Sequence, residues 1–328
     1  MTVTTGGVGQ SARYHYDTCR HRVVCAGISR HPRKAFTMTS TIFSQRNRGI
    51  TLMIGAMLVV PFMDALAKLL SSHYPVLQLV WARFFFHFLL VLPIALWRYQ
   101  GAVLTAPAPM MQVGRGLCLM GATICFFAAI RTIPLADAIA LIFFDAVIIV
   151  ILSGVLLNEK VPPGRLVASV AGLGGVLLIV QPGFGNFQWA SLLALAAAFF
   201  FALYFLSTRY LSGNTPPLVM LAWQGVGGFV VMSAVVPLVW VTPSPTDFAM
   251  MVALGLIGAG GHLLLIRAFQ YAEASLLAPF LYTEIIMQVL LGYWLFGDLP
   301  NRWAIAGIVL IIGVGVYLSL SPGKKKNS

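Results

Sequence analysis

The chain has 328 residues, 59% of them hydrophobic and 9% charged, with a formal net charge of +12. Soluble domains carry about a quarter charged residues, so a water-soluble globule is excluded and the bilayer is the solvent. The basic residues lie scattered at the ends of apolar stretches and form no patch, which excludes nucleic acid as a partner.

Residues 1–37 are polar, basic and without apolar periodicity. No apolar core of the kind a secretory signal needs precedes the first long stretch. Arg13, Arg20, Arg22, Arg30, Arg33 and Lys34 favour a cytoplasmic location for this leader, read as 1–48. It reads either as a disordered tail or as the product of an upstream start codon, the composition changing at Met38. Cys19 and Cys25 stand near His15 and His21 but lack a CxxC pair, so no metal is expected there.

Ten apolar stretches follow, at 50–70, 76–97, 111–131, 134–157, 163–180, 188–208, 216–240, 248–270, 274–296 and 302–320. Each is long enough for a spanning helix, and Pro, Gly, Ser and Asn mark the short turns between them. Cys118 and Cys125 share a face of the third stretch and behave as small apolar residues. With the termini and every second loop assigned to one side, that side holds 17 Lys and Arg against 3 on the other, Arg83 being within a span. Both termini are therefore expected in the cytoplasm. Trp97, Trp189, Trp240 and Trp303 fit an aromatic belt.

The pattern repeats. Asp145 aligns with Glu284 and Glu159 with Asp298, each 139 positions on. Lys68-Leu-Leu-Ser-Ser-His-Tyr-Pro75 echoes Arg209-Tyr-Leu-Ser-Gly-Asn-Thr-Pro216, and Gly175-Val176 echoes Gly313-Val314. Five spans per copy is an odd number, so the second copy enters from the opposite face. The expected architecture is all-α and integral to the membrane, with inverted five-helix repeats at 49–181 and 188–320 and a basic tail at 321–328.

Ionisable groups inside spans mark function by default, since each costs about 2.5–3.5 kcal/mol on insertion scales. Asp145 and Glu284 fall about 11 and 10 residues into their spans, near the midplane. Arg83 is too deep to snorkel with ease and needs a partner, an acid or a substrate. His87 shares its face. Asp64 and Lys68, four apart, read as a self-neutralising pair or as part of the path. His262 and Gln288 read as cavity groups or as hydrogen bonds between helices. Trp81, Phe144, Trp223 and Tyr282 are the candidate cavity aromatics, with packing as the competing reading, and the many glycines permit close helix approach.

No HExxH, GxSxG, Cys–His or GxxxxGK[ST] pattern is present, so neither cofactor nor metal is expected. A membrane enzyme using Asp145 and Glu284 as paired acids is the alternative of another class. Repeated pore rings, expected of a channel, are absent.

With these residues in place, the chain resembles the drug/metabolite transporter superfamily, in its ten-helix EamA-type branch, over about 49–320. The marks are MDALAKLL (63–70), YPVLQLVWARFFF (74–86), IPLADA (133–138), LLNEKV (156–161), YAEASLLAPFLYTE (271–284) and LFGDLP (295–300). The family often has Pro near the place of Asp145 and usually Glu at position 298. The resemblance implies alternating-access movement of a small metabolite across a bacterial inner membrane, without ATP hydrolysis, through a cavity between the halves. A buried arginine among aromatics suits a flat, polar solute, an anionic one included, with a vitamin such as riboflavin among the candidates. Export of amino-acid-like metabolites or metallophores is the alternative, and a central acid balanced between burial and a neighbouring arginine could exchange a proton.

Overall fold

The computed structural model describes residues 33–132, 135–180, 189–296 and 302–320. The expectations for the leader up to residue 32, the loop 181–187, Asp298 and the basic tail lie outside the described residues. The chain separates into two compact units, Met1–Ser40 and Thr41–Ser328, and the second carries the helical body.

Among the described residues all regular structure is helical. Eight helices are long and apolar enough to cross a membrane, and two shorter apolar stretches, Pro163–Leu178 and Ile305–Leu318, stand where the fifth and tenth spans are expected. In chain order the helices are α1 (Arg33–Leu70), α2 (Val76–Tyr99), α3 (Pro109–Thr132), α4 (Leu135–Ile142), α5 (Phe144–Leu156) and α6 (Pro163–Val180). Then come α7 (Trp189–Leu211), α8 (Pro217–Val235), α9 (Pro245–Tyr271), α10 (Ala274–Leu277), α11 (Glu284–Phe296) and α12 (Arg302–Leu320).

Helix ends follow local chemistry. Pro75 and Pro216 precede α2 and α8 with φ −60° and ψ 141–142°, the extended geometry at which a helix can start. Ser244 caps α9, its hydroxyl accepting from Asp247 N at 3.1 Å. Asn158 takes a left-handed φ of 52° at the end of α5, and Glu159 N donates back to Ser153 O at 3.3 Å. That turn aims Glu159 across the bundle.

Two expected spans are broken. The fourth is split at Phe143 into α4 and α5, and the ninth passes through a 3₁₀ segment, Ala278–Thr283, between α10 and α11. Pro279 explains the second break, because it lacks an N–H and its ring crowds the preceding turn. Both breaks fall immediately before a central acid. Asp145 is in the first turn of α5, and Glu284 is the first residue of α11.

Packing repeats between the halves. α2 lies against α8 and α6 against α12, each pair occupying matching places in the two copies, while α2 against α9 is mirrored by α8 against α3. Phe143 and Tyr282, 139 positions apart, meet edge to face at 5.5 Å. Glycine makes the tightest approach possible. A Cβ on Gly255 of α9 would lie 2.5 Å from Phe86 Cβ and 3.2 Å from Arg83 O, so only glycine lets α9 close on α2.

Candidate functional site

Asp64 of α1, Arg83 of α2, Asp145 of α5, His262 of α9 and Glu284 of α11 line one central cavity of about 60 Å³. The rest of its wall is apolar, with Phe126, Phe143, Phe201 and Phe205 supplying rings and Met57, Met63, Leu265 and Leu281 among the aliphatic groups. Arg83 is 3% exposed, and Asp64, Asp145 and His262 are each 4% exposed. The Asp64 and Glu284 carboxyls stand in hydrogen-bonding contact. Two carboxyls can do that only with a proton between them. Gln288, one turn along α11, reaches Glu284 Oε1 with its amide at 3.4 Å.

Arg83 is held by neutral groups. Its Nη1 donates to Thr123 Oγ1 at 2.7 Å and its Nη2 to His262 Nε2 at 2.7 Å. Thr123 is free to accept because its own hydroxyl donates to Leu119 O at 2.8 Å. Since His262 Nε2 accepts, its Nδ1 carries the proton and donates to the Tyr204 hydroxyl at 2.9 Å. Tyr204 donates in turn to Gln224 Oε1 at 2.9 Å, which also accepts from Arg115 Nη1 at 3.2 Å. Arg115 further contacts Thr208 Oγ1 and Met220 O. A buried polar chain thus runs from Arg83 through His262, Tyr204 and Gln224 to Arg115.

The expected site residues divide. Arg83, Asp145, Glu284 and Asp64 come together on the cavity, with Gln288 on Glu284. Lys68 does not pair with Asp64; its Nζ donates to Ile130 O at 2.5 Å, near the end of α3. His87 is buried between helices with its Nε2 on Leu221 O at 3.0 Å. Among the aromatics, Trp81 donates to Ser233 Oγ and stacks on Phe85, and Trp223 donates to Val103 O. Neither lines the cavity. Phe144 is 40% exposed, and the break before α5 gives the inward place to Phe143. Tyr282 packs behind Phe143 and donates to Ser169 O at 2.9 Å.

Away from the cavity, Glu159 gathers four groups from two other elements. Its Oε1 meets Arg209 Nε at 3.2 Å and accepts from Ala274 N at 3.0 Å. Its Oε2 accepts from Ser275 N at 3.1 Å and Ser275 Oγ at 3.0 Å. Arg165 pairs with Glu273 alongside. The carboxylate therefore ties the end of α5 to α7 and to the start of α10.

A cavity built from charged side chains of both halves of a duplicated helical bundle is the arrangement of a membrane transporter. The sequence matches the family model described as "EamA-like transporter family" twice, over residues 47–181 and 188–321, and the chain belongs to that family. Among curated proteins it is 26% identical to the S-adenosylmethionine uptake transporter of Rickettsia prowazekii, over 81% of this chain and 90% of that one. It is 28% identical to the pseudopaline exporter CntI of Pseudomonas aeruginosa, over 83% and 95%. The riboflavin transporter of Vibrio cholerae is 30% identical over 60% and 66%. A solved crystal structure at 21% identity superposes with a TM-score of 0.69 over 83% of this chain and 96% of its own, a likeness of fold.

Proposed function

We propose that this transporter carries a small polar metabolite across the bacterial inner membrane by alternating access between inverted halves, with both termini cytoplasmic and a proton exchanged at the Asp64–Glu284 pair. The observation that carries the reading is the shared cavity. The first half contributes Asp64, Arg83 and Asp145, the second His262 and Glu284, so neither half makes the site alone. Relative movement of the halves changes which face the site meets. At about 60 Å³ the cavity holds only a few waters, and metabolite-sized sites run to about 300 Å³ or more. The helices must part to admit a solute.

A ring-lined wall suits a solute with a flat ring system. Riboflavin has one and so does S-adenosylmethionine, and uptake of such a compound is the preferred direction. The exporter among the relatives supports the reverse direction with the same machinery. The groups facing the carboxyl pair are Arg83, His262, Asp145 and Gln288. Opening to water on either side would let the shared proton leave, and occlusion would require its return.

The test is transport by the full chain in membrane vesicles under an imposed pH gradient, with the solute named by paired metabolomics of cells lacking or over-producing the protein. Asp64→Asn and Glu284→Gln should insert at wild-type levels yet lose gradient-driven transport. Wild-type rates and pH profiles in both variants overturn the proposed proton step. Absence of any solute moving in opposite directions in the two strains overturns the transport assignment.

A further inference from the structure

We propose that Asp145 is the subsite for a positively charged group on the solute, so that the transported class is organic cations and zwitterions bearing such a centre. This rests on the transport reading above and adds a charge requirement to it. The first observation is an oxygen without a partner. Asp145 lines the cavity and is 4% exposed, and its Oδ1 has no hydrogen-bond partner. Its one neighbouring donor is the backbone N–H of Ala146. A buried carboxyl oxygen left unsatisfied is costly, the more so when charged. An arriving donor with a positive charge recovers that cost.

The second observation is the charge balance of the cavity. Of the three cavity acids, Asp64 and Glu284 stand together, and Arg83 lies close enough to Asp64 to interact with it electrostatically. The basic groups that could have served Asp145 are engaged elsewhere. Arg83 is turned to Thr123 and His262, and Lys68 to Ile130 O. The ion pairs Arg165–Glu273 and Arg209–Glu159 lie outside the cavity. Asp145 is left as the cavity acid with no basic partner. Its place in the first turn of α5, beside the backbone N–H of Ala146, offsets part of the burial cost without supplying a counter-ion.

The wall around it selects the kind of cation. Phe126, Phe143, Phe201 and Phe205 line the same space, and aromatic faces attract soft, poorly hydrated cations such as alkylated ammonium or sulfonium. A metal ion would need several oxygen ligands, and no three His, Cys, Asp or Glu among the described residues are grouped to hold one. The cation is an organic one.

The experiment measures binding to the purified full chain in lipid nanodiscs, with three named probes. S-adenosylmethionine carries sulfonium and ammonium charges, S-adenosylhomocysteine only the ammonium, and riboflavin is neutral. The expected result is that a charged probe binds more tightly than riboflavin and weakens about tenfold or more in Asp145→Asn, while Asp145→Glu retains it. A difference between the two adenosyl probes then assigns the sulfonium to Asp145, and equality assigns the ammonium. Should Asp145→Asn fail to fold, the wild-type chain is treated with a carbodiimide and the modified peptide is quantified. S-adenosylmethionine should protect Asp145, and no protection overturns the proposal. Unchanged binding in a folded Asp145→Asn, preference for riboflavin, or no binding of either charged probe also overturns it. A chain that transports a neutral vitamin keeps the transport reading and loses this one. A chain that binds the cation through Asp145 without moving it does the reverse.

Discussion

Lys68 and Arg209 hold matching carbonyls in the two halves. Lys68 Nζ donates to Ile130 O at 2.5 Å and Arg209 Nη1 to Phe269 O at 2.6 Å, with Arg209 lying 141 positions after Lys68 and Phe269 139 after Ile130. The serines three residues on behave alike, Ser71 Oγ donating to Lys68 O and Ser212 Oγ to Arg209 O. Each cation therefore staples the end of the first helix of its repeat to the end of the third. Arg209 differs in also reaching Glu159.

Glu159→Gln should loosen that end of the bundle. The change keeps the side chain's size but removes a charge that meets one guanidinium and accepts three hydrogen bonds, contacts worth about 1.5–3 kcal/mol each when charged. A cysteine introduced at Leu281, on the cavity wall, should then react faster with a membrane-impermeant thiol reagent added from the cytoplasmic side. Unchanged labelling would mean that the contact is not a closure.

Arg83→Gln should destabilise the protein by about 1–3 kcal/mol, because it leaves the buried Thr123 and His262 acceptors without their donor and removes the positive charge near Asp64. Thermal stability in nanodiscs reads the effect. Combining it with Asp64→Asn should recover stability. If the pair serves transport, the double variant should fold and remain inactive; recovery of transport would make it a structural pair only.

Tyr204→Phe removes the hydroxyl standing between His262 Nδ1 and Gln224 Oε1 and leaves both atoms buried without it. A loss of about 1–3 kcal/mol is expected. Because His262 then no longer holds Arg83 in place, the apparent affinity for solute should fall more than the maximal rate. Kinetics showing only reduced protein yield, at normal affinity, would assign Tyr204 to stability alone.

Gly255→Ala should push α9 from α2, since its new Cβ meets Phe86 Cβ and the Arg83 backbone. Overpacking of this kind costs about 1–3 kcal/mol. Gly260→Ala is the control, because a Cβ there meets nothing within 4 Å. Equal stability of the two variants would show that the helices adjust freely.

Reporter fusions after Asn47 and after Gly323 should both read cytoplasmic, and fusions within 181–187 should read periplasmic. The 17-to-3 bias of basic residues sets the expectation. A periplasmic C-terminus would remove the inverted ten-span arrangement.

Much of the helical plan was legible because apolar length and turn residues are local signals. The central acids were legible because each is costly in a span and recurs at a fixed interval. Arg115 was not. Six residues into α3 it reads like any charge at a boundary, yet it is 1% exposed and bonded to Gln224 and Thr208. Tyr204 and Thr123 carry no periodic signature, so only packing shows that they belong to Arg83's network. Phe143 rather than its neighbour Phe144 took the inward place because nothing in the residues at that break marks it, whereas Pro279 marks the other. The long-range partner of Lys68, a backbone carbonyl, has no sequence signature at all.

The partners of Arg83 have an order in time. Asp64 precedes it in the chain, Thr123 and His262 follow 40 and 179 residues later, and Glu284, across the same cavity, comes 201 residues later. At about 5–20 residues per second, the ribosome needs roughly 10–40 s to reach Glu284. Asp64 is the one acidic residue of the α1–α2 hairpin, so it is the opposite charge at hand for Arg83 when the hairpin enters the membrane. The carboxylate proposed above to share a proton with Glu284 would thus first serve as the escort that lets an arginine cross the translocon.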